Sequence, residues 1–195
     1  MTAQQTATED TRSYILQQAE AYFGTRGYRG FSMRELAEAC GLAKGTLYHH
    51  FSSKQDLYLH VLNREALMLQ DMLAEAAGSP GPVTERIKEV AFVHYRYLIE
   101  KQYLFHTGIR DGGSFEDIRK IFAVHQEGIT APLISVLEDG ISAGIIRDLN
   151  STLMAQALIG MITGLVRYYI VEEAVEITEQ DVTDVLSVFL EGAIN

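Results

Sequence analysis

The chain opens with a polar stretch and continues with apolar residues at helical spacing. Residues 1–9 (MTAQQTATE) are small and polar, which predicts a disordered tail. Residues 10–25 instead place four apolar side chains at i, i+4, i+7 and i+8, the period of one helix face. These side chains are Ile15, Ala19, Tyr22 and Phe23. The pattern predicts a first amphipathic helix that ends before the glycines of RGYRGF.

Start and stop signals then divide the next part of the chain into three helices. The S-x-x-E pair at 32–35 has the spacing of a capping box and predicts a helix that begins at about residue 33. Gly41 ends this helix, and a short helix is predicted over 43–50. The S-x-x-D pair at 53–56 begins a long fourth helix, which continues until the breaker GSPGP.

Beyond that breaker the apolar pattern is again helical, so the chain is predicted to have an all-α fold. The predicted helices cover 83–101, one or two segments within 115–143 interrupted near Gly128 and Pro132, 151–173 and 179–193. Because the fourth helix bridges both sides, the domain boundary is placed inside it. The expected domains are an N-terminal one over 10–56 and a C-terminal one over 57–195.

Composition supports this fold and limits the location of the protein. The 195 residues are 47% hydrophobic, with three prolines and a single cysteine, so no disulfide can form within the chain. The N-terminus lacks the basic and apolar regions of a signal peptide, and no apolar run approaches the roughly 20 residues that a membrane span needs. A cytoplasmic protein without a membrane partner is therefore expected.

Charge is distributed unevenly along the chain, whose formal net charge is -10. Residues 26–54 carry five basic and two acidic side chains, whereas residues 65–195 carry nine basic and 20 acidic ones. The local field of a basic segment, more than the net charge, attracts a polyanion. The acidity of the C-terminal part is therefore compatible with nucleic-acid binding by the N-terminal part.

The stretch LAEACGLAKGTLYHHF at 36–51 predicts a helix-turn-helix rather than an ordinary helical hairpin. Two apolar helices meet across Gly41, and the exposed positions of the second begin with Lys44, Gly45 and Thr46. A glycine inside a helix costs about 1 kcal/mol relative to alanine, which is explicable if a partner approaches the backbone. Lysine can bind phosphate or guanine, and a threonine methyl can contact thymine.

Residues 31–62 (FSMRELAEACGLAKGTLYHHFSSKQDLYLHVL) resemble the N-terminal DNA-binding domain of the TetR family of transcriptional regulators. The resemblance implies a three-helix head, a C-terminal ligand-binding and dimerisation domain, and a repressor that a small apolar or aromatic effector releases from a palindromic DNA operator. It implies DNA contacts from eight residues, to which exposure and charge add Arg34. The eight are Ser32, Lys44, Gly45, Thr46, Tyr48, His49, His50 and Lys54.

The C-terminal domain is rich in aromatic residues with polar groups, the composition of a small-molecule pocket as well as of a core. His94 shares a helix face with apolar residues and is the first candidate for the effector pocket. The further candidates are Phe105, His106, Phe122, His125 and Tyr168. A homodimer interface is predicted from two glycines one turn apart and a C-terminal apolar stripe. These residues are Gly160, Gly164, Val182, Val185, Leu186 and Phe189.

Other classes of function remain as alternatives to this interpretation. An activator or a corepressor-dependent regulator has the same sequence pattern as an inducible repressor. An enzyme on a helical scaffold and a DNA-independent helical adaptor are the competing classes, but no spacing of nucleophile, phosphate loop or metal ligands supports catalysis. No enzyme activity, cofactor or metal is therefore expected, and Cys40 is interpreted as a core residue.

Overall fold

The computed structural model describes residues 3–104, 115–172 and 177–194, and the regular elements in these ranges are α-helices. They are α1 (Ala3–Arg26), α2 (Met33–Ala39), α3 (Lys44–His50), α4 (Lys54–Ala77), α5 (Val83–Glu100), α6 (Phe115–Ser142), α7 (Ser151–Glu172) and α8 (Glu179–Ala193). The side chains of 3–9, 115, 117–118, 122 and 169–172 lie outside the description. The prediction of an all-α fold is confirmed. None of the helices described is long and apolar enough to cross a membrane.

Two segments differ from the sequence-based expectation. Helix α1 begins at Ala3, so most of the expected disordered tail over 1–9 is helical and continues the amphipathic helix. Helix α6 is one continuous element that contains Pro132. Gly128 in the same helix has a packing role, because a Cβ there would lie 2.4 Å from the Gln70 side chain. The glycine therefore marks a close contact with α4 and not a break in α6.

The first compact unit comprises residues 1–66 together with 103–124. Its core includes the predicted α1 face, with Ile15, Ala19 and Phe23 fully buried, and the apolar sides of the next three helices. Phe23 is central, since its ring packs 5.0 Å from that of Phe31 and 5.1 Å from that of Tyr58. Tyr58 also donates its hydroxyl to the Leu104 carbonyl, which ties the later segment to this unit.

The second compact unit comprises residues 67–102 and 125–195. Helix α5 is its central element and packs against α7 and α8. The C-terminal end of α8 is held by the segment before α7, because the Arg147 amide donates to the Ala193 carbonyl at 2.7 Å and its guanidinium to the Gly192 carbonyl at 2.7 Å. The buried apolar faces of these helices form a core of their own.

The division between the units falls inside α4, between residues 66 and 67, and not at the expected position after residue 56. The reason is packing. Leu57, Tyr58, Val61 and Leu62 on the first turns of α4 are buried in the core of the first unit. The first unit also takes in residues 103–124, which the sequence pattern had assigned to the C-terminal domain.

Candidate nucleic-acid interface

Helix α2 begins at the capping box that the sequence predicts. Ser32 has extended backbone angles, and its hydroxyl accepts a hydrogen bond from the Glu35 amide at 3.2 Å. The Glu35 carboxylate accepts in return from the Ser32 amide at 2.7 Å, and these bonds to Ser32 lower the pKa of Glu35. The box satisfies two amides that a helix N-terminus would otherwise leave without partners. Ser32 remains exposed beside α2.

The turn between α2 and α3 depends on Gly41. Its φ of 67° lies in the left-handed region that side chains other than glycine rarely adopt. The Leu42 amide then donates to the Ala37 carbonyl at 2.9 Å, which closes the turn. Leu36 and Leu47, from the two helices, are completely buried on either side of it. The geometry is that of a helix-turn-helix.

Helix α3 presents most of its predicted contact residues on one exposed side. Lys44, Gly45, Tyr48 and His49 are exposed, whereas Leu47 faces the core. A Cβ built on Gly45 would meet nothing within 4 Å, so packing inside the protein does not require this glycine. Its lack of a side chain leaves the backbone of α3 open to close approach by another molecule.

The remaining α3 side chains are less exposed and contact one another. Thr46 and His50 are half-buried. The Lys44 ammonium lies 5.5 Å from the centre of the Tyr48 ring, and the His49 and His50 rings meet edge to face at 5.6 Å. Burial, followed by the charges of His49 and Arg12, lowers the pKa of His50, so this imidazole is predominantly neutral at pH 7.

Arg34 is exposed as expected, but its charge is shared with a neighbour. Its Nε donates to the Glu38 carboxylate at 2.8 Å, one helical turn along α2, and this bond raises the pKa of Arg34. Both side chains are largely exposed, and such pairs contribute little to stability. Contact of Arg34 with a phosphate therefore requires only a weak pair to open.

Lys54 does not point into solvent as a simple phosphate ligand. Its ammonium donates to the Phe31 carbonyl and lies 3.8 Å from the centre of the Phe31 ring and 5.3 Å from that of Tyr28. Burial lowers its pKa. The predicted S-x-x-D cap is present before it, because the Ser53 hydroxyl accepts from the Asp56 amide at 3.0 Å. In this structure Lys54 ties α4 to the segment before α2.

Sequence reasoning missed Arg12, whose guanidinium reaches the surroundings of α3. Its Nη2 lies 2.9 Å from His60 Nδ1, and its Cζ lies 5.1 Å over the Phe51 ring. The only sequence signal was a basic residue early in an amphipathic helix, which is common on a solvated face. The partners are 48 residues apart in the chain for the first contact, so no local spacing could have connected them.

In the second unit, two candidate pocket histidines are buried with different partners. His94 Nε2 lies 3.1 Å from the Thr163 hydroxyl, and its Nδ1 has no partner among the described residues. Complete burial lowers the pKa of His94 to about 4. His125 Nδ1 lies 2.7 Å from the Gln70 amide nitrogen. Both imidazoles are thus held in the interior of this unit.

The other pocket candidates are not brought together by the described structure. Tyr168 is 62% exposed on α7, so it does not line an interior cavity of its own chain. Phe105 and His106 lie outside the described residues, as does the side chain of Phe122 on α6.

The predicted interface residues on α7 and α8 fall into two groups. Gly160 and Gly164 are exposed, and a Cβ on either would meet nothing within 4 Å. Val182 and Leu186 are buried inside their own chain, because their side of α8 faces its own unit. Val185 and Phe189 are intermediate in exposure.

The outward faces of α7 and α8 form an apolar groove of about 590 Å³. Phe189 and Met161 line it, and Leu153 and Val188 at its border are 63% and 67% exposed. The sequence stripe on α8 did not indicate Val188, because this residue lies on the exposed side of α8, and Leu153 belongs to α7.

Metal and thiol chemistry find no support in the described part of the chain. The described residues contain no group of three or more histidine, cysteine or acidic side chains arranged to hold a metal ion. Cys40 is buried beside the turn, and burial raises the pKa of its thiol. It is therefore a core residue and not an activated nucleophile.

These features define a helix-turn-helix protein with an all-α body. Residues 15–61 match the family of bacterial regulatory proteins described as the tetR family. A curated relative, the HTH-type transcriptional repressor AcnR of Corynebacterium diphtheriae, is 36% identical over 64 residues, which are 33% of this chain and 34% of that protein. The match therefore spans about a third of the length of that relative.

Solved structures share the fold over nearly the whole chain. One, from Mesorhizobium loti and described as a candidate TetR-family transcriptional regulator, has a TM-score of 0.83 at 20% identity and covers 100% of both chains. Another, the transcriptional regulator FadR of Bacillus subtilis in complex with stearoyl-CoA, has a TM-score of 0.73 at 21% identity and covers 92% of this chain and 98% of that one. The N-terminal part of the chain, residues 15–61, is thus similar to the tetR family of bacterial regulatory proteins, and the chain shares the fold of these solved structures.

We expect Lys54→Met to destabilise the first unit by about 1 kcal/mol, the typical contribution of one hydrogen bond. Methionine keeps the apolar stem against the Phe31 and Tyr28 rings but loses the ammonium that binds the Phe31 carbonyl. Urea unfolding followed by circular dichroism measures the effect. Lys88→Met is the matched control, because Lys88 is half-exposed and forms a surface ion pair with Glu85 on its own helix. Equal unfolding midpoints for the two variants would show that Lys54 is not a structural tie.

Proposed function

We propose that this protein is a sequence-specific DNA-binding transcriptional regulator, and that it acts as a repressor released from a palindromic operator by a small apolar or aromatic effector. The observation that carries the proposal is the exposed side of α3, where Lys44, Tyr48 and His49 surround a glycine with open space above it. We refer to α3 as the recognition helix. A short helix of this kind fits the major groove of DNA.

Charge and chemistry along this surface suit a DNA ligand. The Lys44 ammonium can bind a phosphate or a guanine, and the Tyr48 hydroxyl can donate to a phosphate. The Ser32 hydroxyl and, once its pair opens, the Arg34 guanidinium extend the surface along α2. The basic excess over residues 26–54 supports the same conclusion.

The operator proposal is tested by fluorescence anisotropy on a duplex from the region upstream of the gene. We expect Lys44→Ala to weaken binding about tenfold and to reduce the salt slope by about 1, as for loss of one phosphate contact. Tyr48→Phe should weaken binding several-fold, because it removes only the hydroxyl. Lys88→Ala in the second unit is the control for loss of one positive charge.

The outcomes separate the competing functions. Strong preference for the upstream duplex over random DNA, reduced in both variants, supports a DNA-binding regulator. Weak and equal binding to both duplexes would indicate a distant operator or a required corepressor. If the variants also matched the wild-type protein, a DNA-independent adaptor would be the better interpretation. The direction of change in a reporter gene distinguishes repressor from activator.

A homodimer through α7 and α8 is part of the proposal. A palindromic site requires two recognition helices about 34–36 Å apart, which a two-fold axis supplies. The apolar groove between α7 and α8, together with the open surfaces at Gly160 and Gly164, supports this face as the interface. Val185 and Phe189 remain members of it, whereas Val182 and Leu186 support it from inside the chain.

We expect Val188→Glu to convert the dimer to a monomer, because a carboxylate buried at an apolar interface is costly. Sedimentation velocity across a concentration series measures the change. Val124→Glu is a matched control, since Val124 is 76% exposed on α6 and lies outside the proposed interface. A dimer of unchanged stability in the Val188 variant would refute this interface.

The effector is proposed to enter the second unit and to use His94 as a polar anchor. A buried nitrogen without a partner costs roughly 1–3 kcal/mol, which a ligand with a hydrogen-bonding group can recover. His125 and His106 are further candidates for a polar contact with the effector, and Phe105 and Phe122 are candidates for apolar contacts, whereas the exposure of Tyr168 argues against it. The effector releases DNA only if it binds more tightly to a dimer whose heads are spaced wrongly.

We expect His94→Phe to differ little in stability from the wild-type protein at pH 7.5, because it removes the unpartnered Nδ1 but also loses the contact of Nε2 with Thr163. The folded pKa of about 4 lies below the unfolded value of 6.5, so wild-type stability should fall by up to about 3 kcal/mol as pH decreases from 6.5 to 4. The phenylalanine variant should lack this loss. Urea unfolding across that pH range measures both effects.

A matched substitution and an effector probe complete this test. His125→Phe should lose stability, because it breaks the contact with Gln70. Stearoyl-CoA, the ligand in the FadR structure, is the first probe for release of DNA, followed by uncharged aromatic compounds. A His94 variant that is less stable than the wild-type protein and equally responsive to the active compound would exclude His94 as the anchor.

A further inference from the structure

A polar network joins α1 and α4 immediately behind the recognition helix. Arg12 Nη2 on α1 lies 2.9 Å from His60 Nδ1 on α4. His60 Nε2 lies 3.4 Å from one oxygen of Asp56, one helical turn earlier. The other Asp56 oxygen accepts from the amide and the hydroxyl of Ser52, at 2.8 and 3.0 Å. Four side chains thus connect α1 to the loop after α3.

The direction of these bonds fixes the protonation state of His60. A guanidinium has only donors, so the bond from Arg12 requires a bare lone pair on His60 Nδ1. A neutral imidazole then carries its proton on Nε2, and that N–H faces the Asp56 carboxylate. The network is therefore complete only while His60 is neutral.

The same groups hold the end of the recognition helix. The Phe51 amide donates to the Leu47 carbonyl at 3.0 Å and closes the last turn of α3. The Phe51 ring lies under the Arg12 guanidinium, at 5.1 Å, and edge to face with the His60 ring, at 5.5 Å. Because Phe51 is fully buried, movement of Arg12 or His60 changes the surface on which α3 ends.

We propose that Arg12 and His60 are positioning residues for DNA recognition, which hold the C-terminal end of α3 through Phe51 and Ser52 only while His60 is neutral. The proposal rests on the DNA-binding function proposed above. Neither residue needs to contact DNA for this role. Acidification breaks the bond at Nδ1 and places an imidazolium beside the guanidinium, which loosens the end of the recognition helix.

The charged and titratable groups around His60 determine the sign of the pH effect. Arg12 faces it from α1, Asp56 from α4, and His50 lies near Arg12 at the end of α3. Burial and Arg12 lower the pKa of His60, while Asp56 raises it, with a net decrease from 6.5. The support of the α3 end is therefore complete at neutral pH and is lost as pH falls through the lowered pKa of His60. Protonation of His50 acts in the opposite direction, because it adds charge that attracts phosphate.

The first experiment measures operator binding by anisotropy at about pH 7.5 with a salt titration. We expect Arg12→Met to bind about fivefold more weakly, with the salt slope unchanged, because a residue that neutralises no phosphate releases no counterion. Arg96→Met, at a half-exposed arginine on α5, is the matched control and should bind like the wild-type protein. A salt slope reduced by about 1 would show that Arg12 contacts DNA directly and would overturn the positioning role.

The second experiment uses His60→Asn, whose side-chain oxygen can still accept from Arg12 but does not titrate. We expect this variant to bind within about twofold of wild type near pH 7.5 and about threefold better than wild type near pH 5.5, since it keeps the network that protonation breaks. Circular dichroism at both pH values confirms that each protein is folded. Identical pH profiles for the variant and wild type would refute the proposal.

A readout without DNA separates this inference from the proposed function. Imidazole nitrogen chemical shifts should show His60 with its proton on Nε2 in the free protein, and Arg12→Met should shift this tautomer equilibrium. If the wild-type protein bound no DNA, the regulator proposal would fail while this measurement still tested the network. If it bound DNA with His60 protonated on Nδ1, the network proposal alone would fail.

Discussion

A helix of seven residues is not stable alone in water, and the function proposed for α3 depends on this constraint. Isolated helices shorter than about 12–15 residues are marginal, so packing must supply the stability of α3. Leu47 and Phe51 supply it, because both are completely buried in the core of the first unit. Burial of each such side chain contributes about 1.5–3 kcal/mol. Because the side of α3 that carries Leu47 is buried in the core, the polar side chains of α3 face outward.

The aromatic cluster behind α3 makes its support rigid. Phe23 contacts the rings of Tyr28, Phe31 and Tyr58 with centres 5.0 to 5.9 Å apart. Aromatic rings have few rotamers and favour specific mutual orientations, so such a cluster limits how its helices move relative to one another. Lys54 lies against two of these rings. Lys54 thus contributes to the packing of the first unit as well as to the charge of that unit.

The parts of the fold that depend on local sequence could be predicted, whereas those that depend on distant contacts could not. The caps at Ser32 and Ser53 and the turn at Gly41 depend on neighbours within four residues, and spacing identified all three. The contact of Lys54 with Phe31 spans 23 residues, and that of Arg12 with His60 spans 48. An apolar stripe also shows that a helix has a buried side without showing which chain covers it. Val182 and Leu186, which the stripe assigned to a dimer interface, pack within their own unit.

Charge counting over residues 26–54 overestimated the charge available to a ligand. Of the basic side chains between 26 and 54, Arg34 is paired with Glu38, and Lys54 is engaged with the Phe31 carbonyl. Lys44 keeps an exposed ammonium at the start of α3. The DNA recognition proposed for α3 would therefore depend substantially on hydrogen bonds to base edges and on close approach at Gly45, because charge alone does not distinguish base sequences. A modest positive field on an acidic protein favours a regulator that binds its operator selectively over one that binds any DNA.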